Sequence, residues 1–250
     1  MKRFAIYFVL VAACMLPSVA SAQDFEYTWT VIPVTAEYDE PEDTPVSRIV
    51  DNARKGLEYL NEVLAVSAKE MAVSKPESPL SNLTADIILD RAEMLTGLDI
   101  DCSLYNMGGI RITIPEGNVT MGDIISCYPF RNTLVVAEMT GNRLLDFFTD
   151  FAAMKQPEAI SGVTMEVSSD GTLLSVLVGG EEIDPVRTYR MASISFLVSG
   201  GDGFFLEKYA DNVIDSGVQV KDAVVSYCKD MTKEGRKLDA EVEGRYIIVE

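Results

Sequence analysis

The sequence contains no histidine. That absence excludes a Ser-His-Asp triad, a Cys-His dyad and every imidazole metal ligand. Hydrolytic centres built on His-rich metal sites cannot be complete on this chain. Basic residues are also scarce. The 21 Lys and Arg stand against 39 Asp and Glu, a formal net charge of −18. A nucleic-acid binder carries a basic footprint, so that class is disfavoured. Cysteine is sparse too, at four residues. Cys14 falls in an N-terminal leader, and Cys102, Cys127 and Cys228 follow with spacings that match no zinc or redox motif. They read as buried small hydrophobes rather than as a disulfide framework. Beyond the leader no apolar run approaches membrane-spanning length.

What is present suits a globular chain. At 250 residues, 48% hydrophobic and 24% charged, it has room for one large domain or two small ones with a sizeable core. Residues 1–22 read as an export signal. Lys2 and Arg3 form its charged start, Ala5 to Leu16 its short apolar run, and Ala20-Ser21-Ala22 a small-residue cleavage site. Cleavage there removes two basic groups and leaves a net charge of −20 on a periplasmic or extracellular protein. Val11-Ala12-Ala13-Cys14 is a rival lipoprotein box that would put an acyl anchor on Cys14. Ordinary cleavage is favoured, because Cys14 lies early and Ala22 stands at the usual distance. Residues 23–45 are an acidic, proline-bearing lead-in or linker.

The spacing of apolar residues predicts a helix over 46–63 and a strand over 64–73. Ser78 and Pro79 open a second helix, whose apolar face is Leu80, Leu83, Ile87 and Met94 and which Gly97 closes. Strands are predicted at 102–105, 133–138 and 188–196. Residues 163–168 and 173–178 form a hairpin about Ser169-Asp170-Gly171. Thr140 is placed to cap a helix carrying Leu144, Leu145, Phe148 and Phe151. A last helix covers 218–231, and 246–249 closes the chain as a strand. Helices and strands interleave unevenly, without the regular alternation of a doubly wound sheet.

Three segments are over-specified for packing. In Asn106-Met107-Gly108-Gly109-Ile110-Arg111, Gly108 and Gly109 let a ligand approach the backbone, and Arg111 can hold a phosphate or carboxylate. A tight turn with a solvated Arg explains that segment equally well. In Tyr128-Pro129-Phe130-Arg131-Asn132-Thr133, an aromatic and an amide two apart can stack on a planar ring and bond its edge. Taken alone, Phe130 would sooner be a core residue. In Phe196-Leu197-Val198-Ser199-Gly200-Gly201-Asp202-Gly203-Phe204, a glycine-rich loop presents an Asp able to accept from a ribose diol. That loop lacks both the P-loop ending and the dinucleotide GxGxxG spacing.

Taken in order, these segments resemble the C-terminal domain of the bacterial 5'-nucleotidase family. The matching pieces are Glu77-Ser78-Pro79-Leu80-Ser81-Asn82-Leu83-Thr84-Ala85-Asp86, Gly108-Gly109-Ile110-Arg111, Pro129-Phe130-Arg131-Asn132-Thr133-Leu134, Asp184-Pro185 with Thr188-Tyr189-Arg190-Met191-Ala192, and Ser199-Gly200-Gly201-Asp202-Gly203-Phe204. The match runs from about residue 55 onward. It implies a single α/β domain of mixed α+β type over 46–250, a mixed β-sheet flanked by helices. It also implies a substrate-binding role in hydrolysis of nucleoside 5'-monophosphates. By position, Phe130 and Phe196 would clamp the base, Asn132 read its edge, Asp202 hold the ribose and Arg111 the phosphate. Gly108, Gly109, Gly200 and Gly201 would shape the site.

The departures from the family are as informative. The N-terminal metallophosphoesterase domain, which carries the metals, has no counterpart here. Divalent metals are therefore expected only on a partner metallophosphoesterase chain, with no cofactor on this one. Glu70 and Ser74 stand where family members tend to have arginines, and Lys75 is the nearest cation. Arg131 replaces a usual glycine and can compensate, while Met107 replaces another. Two functional readings follow: a specificity subunit working with a separate metallophosphoesterase, or a stand-alone exported nucleoside-binding module without catalysis. A third, a degenerate structural protein, is weakest because Phe130, Asn132, Phe196 and Asp202 all survive together.

Overall fold

The computed structural model describes residues 27–33, 35 and 43–250. The export signal, Cys14 and most of the acidic lead-in lie outside the described residues. The chain divides into a leading unit ending at Val50 and a compact unit spanning Asp51–Glu250.

The helix predicted over 46–63 is shorter than its apolar spacing suggests. α1 (Pro45–Arg54) ends before Gly56, which takes a positive φ of 96° that a helix cannot continue. None of its residues is buried. A single 3-10 turn (Glu58–Asn61) follows, and β1 (Val63–Ser67) begins where the helix was expected to end. β1 also stops early, and beyond it only a bridge from Met71 to Ile114 continues the pairing.

α2 (Pro79–Thr96) matches its sequence signals because local chemistry fixes both ends. Ser78 and Ser81 form a reciprocal capping box, and Gly97 closes the helix at φ 69°. β2 (Cys102–Tyr105), β3 (Gly117–Thr120), α3 (Met121–Cys127) and β4 (Thr133–Thr140) come next. α4 (Gly141–Ala153), β5 (Ala159–Ser161), β6 (Val163–Ser168), β7 (Leu173–Val178) and β8 (Glu181–Glu182) follow. β9 (Thr188–Ile194), α5 (Ser195–Val198), β10 (Asn212–Gln219), α6 (Val220–Lys233) and β11 (Tyr246–Val249) complete the chain.

The strands form three sheets, with orders β1-β3, β10-β4-β9-β2-β5 and β11-β6-β7-β8. β2 runs parallel to β9, and β11 parallel to β6, while the other pairs are antiparallel. The architecture is thus a mixed α/β fold with mixed sheets flanked by helices. Leu134 to Ala137 of β4 are buried without alternation, so both faces of the central sheet are covered. α2 packs on β2, β5 and α6, and α4 on β4, β7 and β9.

Two local readings change. Thr140 occupies the N-cap of α4 but makes no side-chain cap. Instead the N–H groups of Gly141 and Asn142 donate to the carbonyls of Arg187 and Pro185, so the Asp184-Pro185 turn seals the helix start. β9 ends at Ile194 rather than 196. There Ser195 Oγ accepts the Thr133 N–H at 3.1 Å, and the chain turns into α5. Phe196 therefore stands on a helical turn beside the sheet.

The far end of the chain is tied back by charge. Arg245 donates to both carboxylate oxygens of Asp86 on α2, at 2.7 and 3.0 Å, and to the Ile160 carbonyl. Glu77, just ahead of the capping box, accepts the N–H groups of Glu243 and Arg245 and the Asn82 amide. Those bonds hold its carboxyl below the usual range against the opposing effect of burial.

Cys102, Cys127 and Cys228 are free and buried. Burial pushes the Cys127 thiol up to about 11 and Cys228 to about 12, and Cys102 higher still. All three should resist alkylation at pH 8 in the native protein and react only on unfolding; peptide mapping after a native iodoacetamide pulse checks this. A methyl group at Gly141 would overlap the Asp184 carbonyl. Gly141→Ala should therefore cost about 2 kcal/mol of stability, read from the urea midpoint, and an unchanged midpoint would contradict the seal.

Candidate functional site

The site forms where three chain segments leave the central sheet. β2 exits at Tyr105 into Asn106 and a 3-10 turn, Met107–Gly109. Gly109 must lack a side chain, because a Cβ there would lie 2.7 Å from Tyr105 Oη. The turn continues to Arg111, whose N–H donates to the Cys127 carbonyl at the end of α3. That bond pins the turn to the second segment, 128–132, which enters β4. Tyr128 anchors this segment, fully buried with its Oη 2.8 Å from Thr84 Oγ1. Asn132 is held by its own carbonyl, which accepts the Val220 N–H.

The third segment follows α5. Gly200 takes φ 103° and Asp202 φ 51°, both in the left-handed region. The two glycines give flat support to aromatic rings. A Cβ on Gly201 would lie 2.5 Å from the Phe196 ring, and one on Gly200 would overlap the Phe205 ring. Asp202 is held in place across the gap, where its Oδ2 accepts Asn106 Nδ2 at 2.8 Å.

These segments enclose a cavity of about 310 Å³ lined by Asn106, Gly108, Arg111, Phe130, Asn132, Phe196 and Asp202. Six sequence-predicted residues thus meet at one place: Phe130, Phe196, Asp202, Asn132, Arg111 and Gly108. Gly109, Gly200 and Gly201 lie behind the lining and shape it. Arg131 is exposed and does not line the cavity. The side chain beside the first ring is instead that of Arg111, whose guanidinium lies 5.9 Å from the Phe130 centroid and donates to the Gly108 carbonyl.

Both rings are unusually open for phenylalanine, with Phe130 45% and Phe196 38% exposed. Neither belongs to the interior aromatic cluster of Phe147, Phe151, Phe204, Tyr209 and Tyr246. Asn106 is the lining residue that sequence reasoning left without a role. Its side chain is 6% exposed, and its Oδ1 has no hydrogen-bond partner among the described residues. A buried acceptor without a donor is costly. The only sequence signal was its position at the head of the Gly108-Gly109 turn.

Among the described residues, no group of His, Cys, Asp or Glu side chains is placed to hold a metal ion. Nor is any described helix long and apolar enough to cross a membrane.

Similarity to known proteins bears on the family and the fold. Residues 61–208, more than half of the chain, match the model of the 5'-nucleotidase C-terminal domain. The chain is 36% identical over 107 residues to the protein UshA of Escherichia coli, covering 42% of this chain and 20% of UshA. It is 30% identical over 159 residues to a 5'-nucleotidase of Vibrio vulnificus, covering 60% of this chain and 28% of that protein. The crystal structure of a 5'-nucleotidase precursor from Thermus thermophilus superposes with a TM-score of 0.69 at 26% identity, over 82% of this chain and 43% of that one. The chain therefore spans less than half the length of each of these relatives. Over that span, it belongs to the 5'-nucleotidase C-terminal domain family.

Proposed function

We propose that residues 46–250 form the substrate-specificity domain of a 5'-nucleotidase system. In this reading the domain binds a nucleoside or nucleoside 5'-monophosphate and serves nucleotide catabolism together with a metallophosphoesterase on a separate chain. The observation that carries the reading is the pair of open rings, Phe130 and Phe196, lining one cavity with Asn132 and Asp202. A planar base stacks on such rings at about 1–3 kcal/mol per contact. Asn132 offers both a donor and an acceptor to the base edge. Asp202 accepts from the ribose hydroxyls. A volume of about 310 Å³ is at the lower end of small-molecule sites, which suits one base and sugar. Arg111 is the cation on the wall for phosphate.

Holding the nucleotide supplies orientation, which can be a large share of rate acceleration. Metal-assisted attack on phosphate belongs to the partner chain in this reading, since this chain brings no histidine and no clustered ligands among its described residues. Export to the periplasm or the extracellular space follows from the leader at residues 1–22. A stand-alone nucleoside-binding module is favoured by one feature. Glu70 and Ser74 are exposed where the family tends to place arginines, and Lys75 faces Glu158. That alternative requires binding indifferent to the phosphate.

By calorimetry, the chain should bind adenosine and AMP saturably, and Phe196→Ala should weaken both by roughly tenfold or more. Gly201→Ala should weaken binding through displacement of the Phe196 ring while leaving the melting temperature nearly unchanged. Absence of any nucleoside or nucleotide binding by the wild type would sink both readings. The chain alone should not release phosphate from nucleoside monophosphates with Mg²⁺ or Mn²⁺, and activity should appear on adding its metallophosphoesterase. If that addition leaves rate and base selectivity unchanged, the two-chain reading fails.

A further inference from the structure

Lys75 and Glu158 lie next to the cavity but outside its lining. Glu158, the residue before β5, is 2% exposed. Its Oε2 accepts the Met107 N–H, and its Oε1 faces Lys75 Nζ at 3.6 Å. A buried carboxylate is costly unless paired and hydrogen-bonded, and here both oxygens are occupied.

The placement of this pair is specific. The N–H that Glu158 accepts belongs to the peptide joining Asn106 to Met107. Asn106 is in turn the residue whose amide donates to Asp202. Lys75, on the segment before α2, thus connects to the glycine-rich loop through two intermediates. Burial raises the Glu158 pKa, the Met107 N–H and Lys75 lower it, and the Asp202 charge raises it again. Lys75 and Asp202 are the charged groups that face it.

Resting on the nucleoside reading above, we propose that Lys75 and Glu158 are positioning residues for ribose recognition. Lys75 anchors the Glu158 carboxylate, Glu158 fixes the Asn106–Met107 peptide, and Asn106 sets the Asp202 carboxylate that meets the sugar hydroxyls. Neither residue touches the ligand. Lys75 has its ammonium turned toward Glu158, so its job is to compensate buried charge.

The consequence is selective. Loosening the pair should weaken the grip on the sugar diol and leave base stacking intact. Adenosine and 2',3'-dideoxyadenosine separate these effects, because they share the base and differ in the hydroxyls. In Glu158→Gln and Lys75→Met, the ratio of adenosine to dideoxyadenosine affinity should fall by roughly tenfold. Dideoxyadenosine binding itself should stay near wild type, and Lys75→Arg should restore the ratio. An unchanged ratio in both folded variants overturns the proposal.

A ligand-free measurement keeps the two readings apart. In ¹⁵N-resolved spectra the Met107 amide should titrate with Glu158, and the Asn106 side-chain amide should move in the same pH window. Removing Lys75 takes away a charge that lowers the Glu158 pKa, so in Lys75→Met that window should shift to higher pH. Asn106 resonances that ignore both substitutions overturn the coupling. A wild-type chain that binds neither nucleoside overturns the nucleoside reading and the ribose role with it, while the Asn106 resonances still report whether the coupling exists.

Discussion

The hydrogen bond from Asn106 Nδ2 to Asp202 Oδ2 joins two segments 96 residues apart. The geometry of the cavity depends on it. Without that bond the glycine-rich loop would have no polar tie to the exit of β2, and four residues of mixed handedness from Gly200 to Gly203 would choose among many conformations. With it, Asp202 is held at a left-handed φ that most side chains avoid, and Phe196 is presented from the adjoining helical turn. The parallel pairing of β2 with β9 makes the bond reachable, since it brings the C-terminal ends of both strands to the same end of the central sheet. Fold and site are linked there: a sheet pairing sets the distance, and one amide closes it.

Electrostatics at the site run against those of the molecule. A chain with a net charge of −18 repels an anionic ligand at long range. Screening at physiological salt shortens that repulsion to about 8 Å, so the charges that decide binding are those on the wall. Arg111 is the cation there, stacked beside Phe130 and tethered to the Gly108 carbonyl. Arg131, which composition alone makes equally attractive, stands outside the lining. Two positive residues near one site are not equivalent, because only the Arg111 side chain lines the cavity.

Much of the fold was legible wherever local chemistry decides it. Ser78, Pro79 and Gly97 mark the helix they bound, and the Ser169-Asp170-Gly171 turn marks its hairpin. The six residues that meet at the cavity were visible as three motifs. Their convergence was not, because non-local pairing of β2, β4 and β9 decides it. The helix predicted through residue 63 fails at Gly56, where backbone freedom outweighs apolar spacing. Phe196 falls at the end of the strand predicted over 188–196, and the turn into α5 that removes it from the sheet is held by a contact with Thr133 far away in sequence. Glu158 carries no local signal and Asn106 only its place before two glycines, because such residues are ordinary surface choices until tertiary structure buries them and turns the exposed Lys75 toward Glu158.

The three buried thiols bear on how such a chain can mature. Three thiols cannot all pair with one another, so in an oxidising surrounding a bridge between any two of Cys102, Cys127 and Cys228 leaves the third able to attack it. Placing Cys102 in β2, Cys127 at the end of α3 and Cys228 in α6 removes all three from exchange once the core has closed. The danger is then confined to the interval between emergence of the unfolded chain and closure of its interior. Speed of folding, rather than a disulfide, becomes the safeguard of the covalent state.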